Sequence, residues 1–213
     1  MIRLYFVRHG ETEWNKIGKF QGSADVSLND IGEIQADLTA EYIKKIKFDK
    51  IYSSPLKRAF ETASKIAEKQ NIGIIKDERL KEMNFGDWEG LSFDCIEAKW
   101  PGRLKEMYYS PDKVNIPNGE TFLQVQMRTK NFLNNLLEIE GDKNYLIVSH
   151  GVTLRTIFCN LLGIPLNKAW NLSQKNANIS CIEYRDKNRS ILNFLNYTDH
   201  LSEVKEKEQK TIK

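Results

Sequence analysis

The sequence predicts an α/β protein: a three-layer sandwich whose mostly parallel central sheet is flanked by helices, with a small inserted cap. Three short apolar runs, at residues 4–7, 50–53 and 145–149, are each followed by a pattern of helical period. This alternation is typical of a parallel sheet covered by helices. Two further runs, at residues 179–184 and 191–195, flank a polar turn and predict an antiparallel hairpin at the sheet edge.

The chain length fits one domain with a substantial core. At 213 residues, it needs no disulfide or metal to stabilise it. We expect this domain to span residues 1–200, with the cap at residues 91–119 and a charged tail at residues 201–213.

Charge and hydropathy exclude several classes of partner. Lysine and arginine total 32 against 29 acids, and the net charge of +3 is too small to indicate a nucleic-acid or membrane partner. No apolar run approaches the roughly 20 residues that span a bilayer, and the first residues lack a leader pattern. Three widely spaced cysteines argue against a disulfide framework or a metal site. We therefore expect a cytoplasmic protein, with a homodimer as one option for its oligomeric state.

The first two predicted helices would cover the sheet. Residues 30–46 form the first, with Ser27, Asn29 and Asp30 as candidate N-caps. Its expected buried face comprises Ile31, Ile34, Leu38, Tyr42 and Ile46. The second helix begins after Pro55 and carries an apolar stripe from Leu56 to Ala67. Arg58 lies off that stripe in the first turn, where the helix dipole disfavours a cation, so an anion is expected to bind there.

The second half of the chain continues the alternation after the cap. The cap region contains three prolines and the aromatic residues Phe93, Trp100, Tyr108 and Tyr109. A long core helix then follows a predicted capping box between Thr121 and Gln124. The helix after Gly151 ends near Gly163.

Polar residues follow the three predicted parallel strands. The first strand ends in Arg8, His9 and Gly10; the second leads to Arg58; the third ends in His150 and Gly151. Ligands of open α/β sheets bind at the carboxyl ends of the strands, and glycine lets the backbone approach a ligand closely. These side chains are therefore expected to meet in one pocket.

The residue types at this edge suit phosphoryl transfer. Two arginines would neutralise a phosphoryl group, and an imidazole that they keep neutral could attack phosphorus. His9 is the better candidate nucleophile, and His150 would bind the equatorial oxygens as charge spreads over them. A leaving alcohol needs a proton, for which Glu82 is the proposed donor. Spacing alone leaves Asp87 and Glu89 as alternatives.

The run from Leu4 to Asn15, with its Arg8-His9-Gly10-Glu11-Thr12-Glu13-Trp14-Asn15, is followed in order by five further blocks. They are Phe20-Gln21-Gly22, Leu28-Asn29-Asp30-Ile31-Gly32, Ser53-Ser54-Pro55-Leu56-Lys57-Arg58-Ala59, Glu82 with the run Phe85 to Gly90, and Val148-Ser149-His150-Gly151. Together they resemble the histidine phosphatase superfamily, also called phosphoglycerate mutase-like. The resemblance covers residues 2–165. It implies that His9 is phosphorylated, that Arg8, Arg58 and His150 complete the phosphate pocket, and that Glu82 donates the proton. It adds Asn15, Gln21 and Gly22 as phosphate or substrate contacts, and it implies no metal or other cofactor.

The resemblance favours a phosphatase over a mutase. Phosphoglycerate mutases of this family carry paired arginines in a longer insertion, whereas Arg103 and Arg128 lie far apart here. The run Glu82 to Gly90, followed by residues 117–121, is similar to α-ribazole phosphatases of cobalamin biosynthesis and also to broad-specificity phosphatases. The expected partner is a small phosphorylated metabolite, and the cap aromatics suit either an apolar leaving group or core packing.

Two other classes of function fit the residues less well. A module that binds phosphorylated ligands without turnover needs only the arginines, whereas the chain holds every residue type that catalysis requires. A serine hydrolase built on Ser54 or Ser149 would lack the Gly-x-Ser-x-Gly turn.

Overall fold

A six-stranded sheet forms the centre of the protein. The computed structural model describes residues 1–138, 141–202 and 204, and within them the sheet order is β3-β2-β4-β1-β5-β6. The strands are β1 (Ile2–Arg8), β2 (Lys50–Ser53), β3 (Ile74–Lys76), β4 (Lys143–Ser149), β5 (Ile179–Asp186) and β6 (Arg189–Tyr197). The first four are parallel, whereas β5 and β6 form an antiparallel hairpin at the edge. The predicted α/β fold is confirmed.

Helices pack on both faces of this sheet. They are α1 (Glu13–Lys16), α2 (Asp30–Ile43), α3 (Lys57–Gln70), α4 (Phe93–Lys99), α5 (Arg103–Tyr109), α6 (Phe122–Leu137) and α7 (Gly151–Leu162). The predicted capping box opens α6, because Thr121 accepts from the backbone of Gln124 and the Gln124 side chain accepts in return. The strand β3 was not predicted, since three half-exposed residues are too few to show a strand pattern.

Two apolar clusters, one on each face of the sheet, explain why its central strands are almost continuously apolar. Phe6 and Ile147 pack on one side with residues of α6 and α7. Val7 and Val148, the next residue of each strand, pack on the other side with residues of α2 and α3. All four side chains are fully buried, as expected of parallel strands covered on both faces.

The predicted buried face of α2 is wrong. Ile34 and Tyr42 are exposed, whereas the buried positions are Gly32, Gln35, Ala36, Thr39, Ala40 and Ile43. Small side chains lie inside because α2 packs tightly against α3, which presents Ala59 and Ala63. A rule that places the largest apolar residues inside fails where two helix backbones approach closely.

The predicted cap region contains α4 and α5, and its buried side chains form a third apolar cluster. Ile96, Leu104 and Met107 pack there against the fully buried Trp88 and against Phe122 at the start of α6. Most of the predicted charged tail, residues 203 and 205–213, lies outside the described residues. No described helix is long and apolar enough to cross a membrane.

The strand register brings the predicted site residues to one edge. Arg8 pairs with Ser149 across β1 and β4, and Ser53 pairs with Val148 across β2 and β4. The backbone N–H of His9 then donates to the Ser149 carbonyl at 3.0 Å. All three strands therefore end at the same level, which is the prediction made from their polar ends.

Candidate active site

A cavity of about 250 Å³ opens at the carboxyl edge of β1, β2 and β4. Eight of the nine residues predicted for the site line it: Arg8, His9, Asn15, Gln21, Gly22, Arg58, Glu82 and Gly151. The ninth, His150, is fully buried behind this surface, with its ring centroid 5.1 Å from that of His9. The structure thus brings together residues from four separate parts of the chain.

His9 is held in one tautomer by its own loop. Its Nδ1 lies 2.6 Å from the Gly10 carbonyl oxygen, which can only accept, so Nδ1 carries the proton and Nε2 keeps its lone pair. Burial lowers the pKa of His9 well below 6.5, and the charges of Arg58 and Arg8 lower it further. The imidazole is therefore neutral at physiological pH, with Nε2 as its unprotonated nitrogen.

His150 supports an arginine from behind the cavity. The Nε–H of Arg58 donates to its Nδ1 at 3.2 Å, so its proton sits on Nε2, which lies 2.8 Å from the Ser54 hydroxyl oxygen. Burial, followed by the charge of Arg58, holds the pKa of His150 well below 6.5. Both ring nitrogens are engaged, and the predicted contact of His150 with phosphoryl oxygens stays a prediction.

Arg58 carries a buried charge that is not in direct contact with a carboxylate of the described residues. Only 1% of it is exposed, and besides His150 it donates to the carbonyls of Gly22 at 2.8 Å and Ala24 at 2.7 Å. These acceptors are neutral, and burial lowers the pKa of Arg58 to about 10. A dianion entering the cavity would restore the charge balance.

Arg8 carries a second such charge. It donates from Nη1 to the Gln174 carbonyl at 2.6 Å, while its buried Nε has no partner. Burial also lowers the pKa of Arg8. The cavity therefore offers two arginines, neither of which is neutralised by a carboxylate within 4 Å among the described residues.

The structure distinguishes the three acids that spacing could not. Glu82 lines the cavity, and its carboxylate accepts from the backbone N–H groups of Val152 and Thr153 at 3.2 and 3.1 Å. Glu89 accepts from two backbone N–H groups of the neighbouring loops, and Asp87 from the Asn118 amide. Of these acids, only Glu82 faces the cavity, fixed by the amino end of α7.

The two predicted glycines act through their lack of a side chain. Gly22 has φ +53°, and a Cβ there would lie 2.1 Å from Glu89 Oε1. Its backbone carbonyl is thereby free to accept from Arg58. A Cβ on Gly151 would lie 3.1 Å from Arg155 Nη1 and project among the charged groups of the cavity wall.

The matched family model is that of the histidine phosphatase superfamily, branch 1, and it covers residues 4–196. The chain belongs to this family. The family assignment made from the sequence blocks is confirmed, and the protein is a phosphatase of the histidine type.

Relatives of this histidine phosphatase carry phosphatase and mutase names. It is 37% identical over the full length of both chains to phosphoserine phosphatase 1 of Hydrogenobacter thermophilus. It is 33% identical to a Yersinia pestis protein named probable phosphoglycerate mutase GpmB, over 87% of this chain and 86% of that one.

A solved phosphatase shares the fold of this histidine phosphatase. It is the phosphoserine phosphatase of Entamoeba histolytica, whose complex with 3-phosphoglyceric acid is 34% identical and superposes with a TM-score of 0.83. That match covers 94% of this chain and all of the other. A variant of the same enzyme has been solved with phosphoserine.

Sequence reasoning gave no definite site role to eight polar or aromatic residues of this histidine phosphatase site, of which Lys19, Phe20, Phe85 and Phe93 line the cavity. Asn176 donates to the carbonyls of His9 and Gly10 and to Asn15 Oδ1, at 3.1 to 3.2 Å, and so fixes the nucleophile loop. The other three, Tyr108, Arg155 and Trp170, line the cavity. Tyr108 was a cap aromatic for which contact with the leaving group and core packing were both open, and it lies on the cavity wall. Arg155 lies four residues after Gly151, so the helical period alone could have placed it on the same face.

Proposed function

We propose that this enzyme hydrolyses small phosphomonoesters through a phosphohistidine intermediate on His9. The single observation that carries the proposal is the hydrogen bond from His9 Nδ1 to the Gly10 carbonyl, which directs the lone pair to Nε2. The lowered pKa keeps that nitrogen unprotonated, and Arg8 and Arg58 would hold the phosphoryl group against it.

The reaction would proceed in two steps. In the first, His9 Nε2 bonds to phosphorus, the bond from phosphorus to the ester oxygen breaks, and protonated Glu82 gives its proton to the leaving alcohol. In the second, water attacks phosphorus, Glu82 takes the proton of that water, and the bond to Nε2 breaks. The products are the alcohol and inorganic phosphate, and both side chains return to their starting states.

The remaining predicted residues would shape the phosphoryl pocket. Asn15 and Gln21 both line the cavity and would donate to phosphoryl oxygens through their amide nitrogens. Gly22 would act through its backbone carbonyl, which accepts from Arg58, and Gly151 would leave room in the cavity that a side chain would fill. His150 would keep Arg58 in place through Nδ1, and would donate to an equatorial oxygen if its Nε2–H exchanges the Ser54 hydroxyl for the substrate.

Phosphoserine is the leading candidate substrate. The relative that matches over its full length is named a phosphoserine phosphatase, and the solved structure of the E. histolytica enzyme holds phosphoserine. A cavity of about 250 Å³ suits a small leaving group. No step needs a metal ion, because arginines supply the positive charge.

The second candidate substrate is α-ribazole 5'-phosphate. It is favoured by the run Glu82 to Gly90 with residues 117–121, and by Phe20, Phe93, Tyr108 and Trp170 on the cavity wall, against which a planar base could stack. Mutase activity on phosphoglycerate is a third candidate function. It is disfavoured because the sequence lacks the paired arginines that phosphoglycerate mutases of this family carry.

A substrate panel in the presence of a chelator tests the proposal. We expect kcat/KM on phosphoserine to exceed that on α-ribazole phosphate and p-nitrophenyl phosphate by at least about tenfold, a difference of about 1.4 kcal/mol. Phosphate release from 3-phosphoglycerate without isomerisation would exclude the mutase. A higher kcat/KM on α-ribazole phosphate than on phosphoserine would make α-ribazole phosphate the proposed substrate. Loss of all activity in the presence of chelator would contradict the mechanism.

A further inference from the structure

We propose that Arg155 binds a carboxylate on the leaving group, and that it thereby selects phosphomonoesters of small hydroxy acids over those of plain alcohols. This inference rests on the proposed phosphatase function and names the substrate class for the same site. Arg155 would be a specificity-determining residue, separate from the arginines that hold the phosphoryl group.

The first support is the position of Arg155 beside the proposed proton donor. A Cβ on Gly151 would lie 3.1 Å from Arg155 Nη1, 3.6 Å from Glu82 Oε2 and 3.7 Å from Arg8 Nε. These groups therefore surround one point of the cavity wall. Because Glu82 must reach the ester oxygen that leaves, a group next to Glu82 faces the leaving alcohol.

The second support is that Arg155 is built into the wall. Its Nη1 donates to the Gly151 carbonyl at 2.9 Å, and its guanidinium lies 4.5 Å from the ring centroid of Trp170. Trp170 is held in turn by a 2.6 Å hydrogen bond to the Met107 carbonyl and by contact with the ring of Tyr108. A guanidinium stacked in this way has fixed N–H directions, unlike that of a solvated surface arginine.

The third support is an unpaired donor of Arg155. Its Nε is buried without a hydrogen-bond partner, and no carboxylate of the described residues lies within 4 Å of it. Burial, followed by the charge of Arg8, lowers its pKa to about 10. Leaving a charged donor buried and unpaired is costly, and a planar carboxylate supplies acceptors that match the guanidinium.

The phosphoryl group is the alternative anion for Arg155. However, Arg155 lies on α7 against Trp170, which contacts Tyr108 of α5, whereas Arg58 lies at the start of α3 and bonds to His150. Arg155 thus belongs to the side of the cavity formed by α7 and α5. An anion bound there is a second anion of the same substrate.

Two matched substrate pairs test the proposal in the full-length enzyme. Phosphoserine and phosphoethanolamine differ by the carboxylate, as do 3-phosphoglycerate and glycerol 3-phosphate. We expect the wild type to prefer the acid in at least one pair. Arg155→Met should lower kcat/KM for that acid by about 10²-fold, mainly through KM, and change its partner by less than about threefold. Arg155→Lys should recover part of the loss for the acid only.

Three results would overturn the assignment: no preference for the acid in either pair, equal losses on both members of a pair, or no loss on either. Equal losses would assign Arg155 to the phosphoryl pocket. Arg185→Met is the matched control, since Arg185 is exposed and paired with Glu183 on β5, and its rates should be unchanged. Thermal unfolding of each variant reports folding.

The proposed function can fail independently of this assignment. If His9→Ala kept phosphatase activity, the phosphohistidine mechanism would be wrong, whatever the Arg155 variants do. If His9→Ala were inactive and Arg155→Met affected acids and alcohols alike, the mechanism would stand and the carboxylate site would not.

Discussion

The floor and the outer wall of the cavity are built in different ways. The floor, Arg8, His9, Arg58 and His150, lies at the ends of strands and the start of α3. Its side chains are held by hydrogen bonds to backbone carbonyls or, for His150, to Arg58 and Ser54. The outer wall, Phe93, Tyr108, Arg155 and Trp170, comes from α4, α5, α7 and the segment after it. It is held by ring contacts, together with hydrogen bonds from Arg155 and Trp170 to backbone carbonyls. The floor residues would act on the phosphoryl group, which every phosphomonoester shares. The wall residues would contact only the leaving alcohol, which differs between substrates.

This division predicts that floor substitutions lower activity on all substrates, and that wall substitutions change the ranking of substrates. The largest effect should come from His9→Ala. Removing the nucleophile should reduce kcat at least about 10⁴-fold for every phosphomonoester, because the covalent step is lost. Steady-state rates on phosphoserine and p-nitrophenyl phosphate check this, and a loss confined to one of them would contradict the division.

The second-largest effect is expected at Arg58, whose guanidinium is hydrogen-bonded to His150. Arg58→Met should lower kcat/KM by about 10²- to 10³-fold on both substrates, as expected for loss of a donor aimed at developing charge. Arg58→Lys should remain strongly impaired, because a single ammonium cannot replace bonds to Gly22, Ala24 and His150. Full recovery with lysine would mean that geometry at Arg58 is unimportant.

A smaller effect is expected at Trp170 in the wall. Trp170→Leu removes the ring over Arg155 and should reduce the preference for the carboxylate member of each substrate pair by roughly 3- to 30-fold, the range of a partly buried cation–π contact. Trp170→Phe, which keeps a ring, should lose less. Equal loss on acid and alcohol would assign Trp170 to general packing of the cap.

The smallest effect is on stability and comes from the two neutral histidines of the floor. Their pKa values are lowered on folding, so the unfolded chain binds more protons below its ordinary histidine pKa of about 6.5. The free energy of unfolding should therefore fall as pH drops through that value, by up to about 1.4 kcal/mol per pH unit for each histidine. Urea unfolding at pH 7.0 and 5.5 measures it.

His9→Asn serves as the comparison for this pH dependence. The variant should lose part of the slope, because one of the two groups no longer titrates. A wild-type stability that stays constant over this interval would show that the histidines are not held neutral.

The sequence predicted the floor much better than the wall. Arg8, His9 and His150 could be located because each follows a recognisable strand, and parallel strands end at one edge. Glu82 was the proposed donor, but spacing could not separate it from Asp87 and Glu89, since only the folded loop turns one of the three inward. Asn176 and Trp170 gave no local signal, because their contacts join segments far apart in the chain.

The helix α2 shows the same limit in the core. Its period was correct, yet its buried face was wrong, because packing against α3 favours alanine and glycine over isoleucine and tyrosine. Helical period reports that one face is buried. Which face it is depends on how closely the neighbouring helix approaches.

The central claim is that His9 carries the phosphoryl group during turnover. Phosphoserine labelled in its phosphate should be mixed with the enzyme, quenched in alkali within one turnover, and the protein mapped by mass spectrometry, since phosphohistidine survives alkali and hydrolyses in acid. One phosphate is expected on His9, lost on acid treatment and absent from His9→Ala. Label on another residue, or turnover of phosphoserine with no label on His9, would contradict the claim.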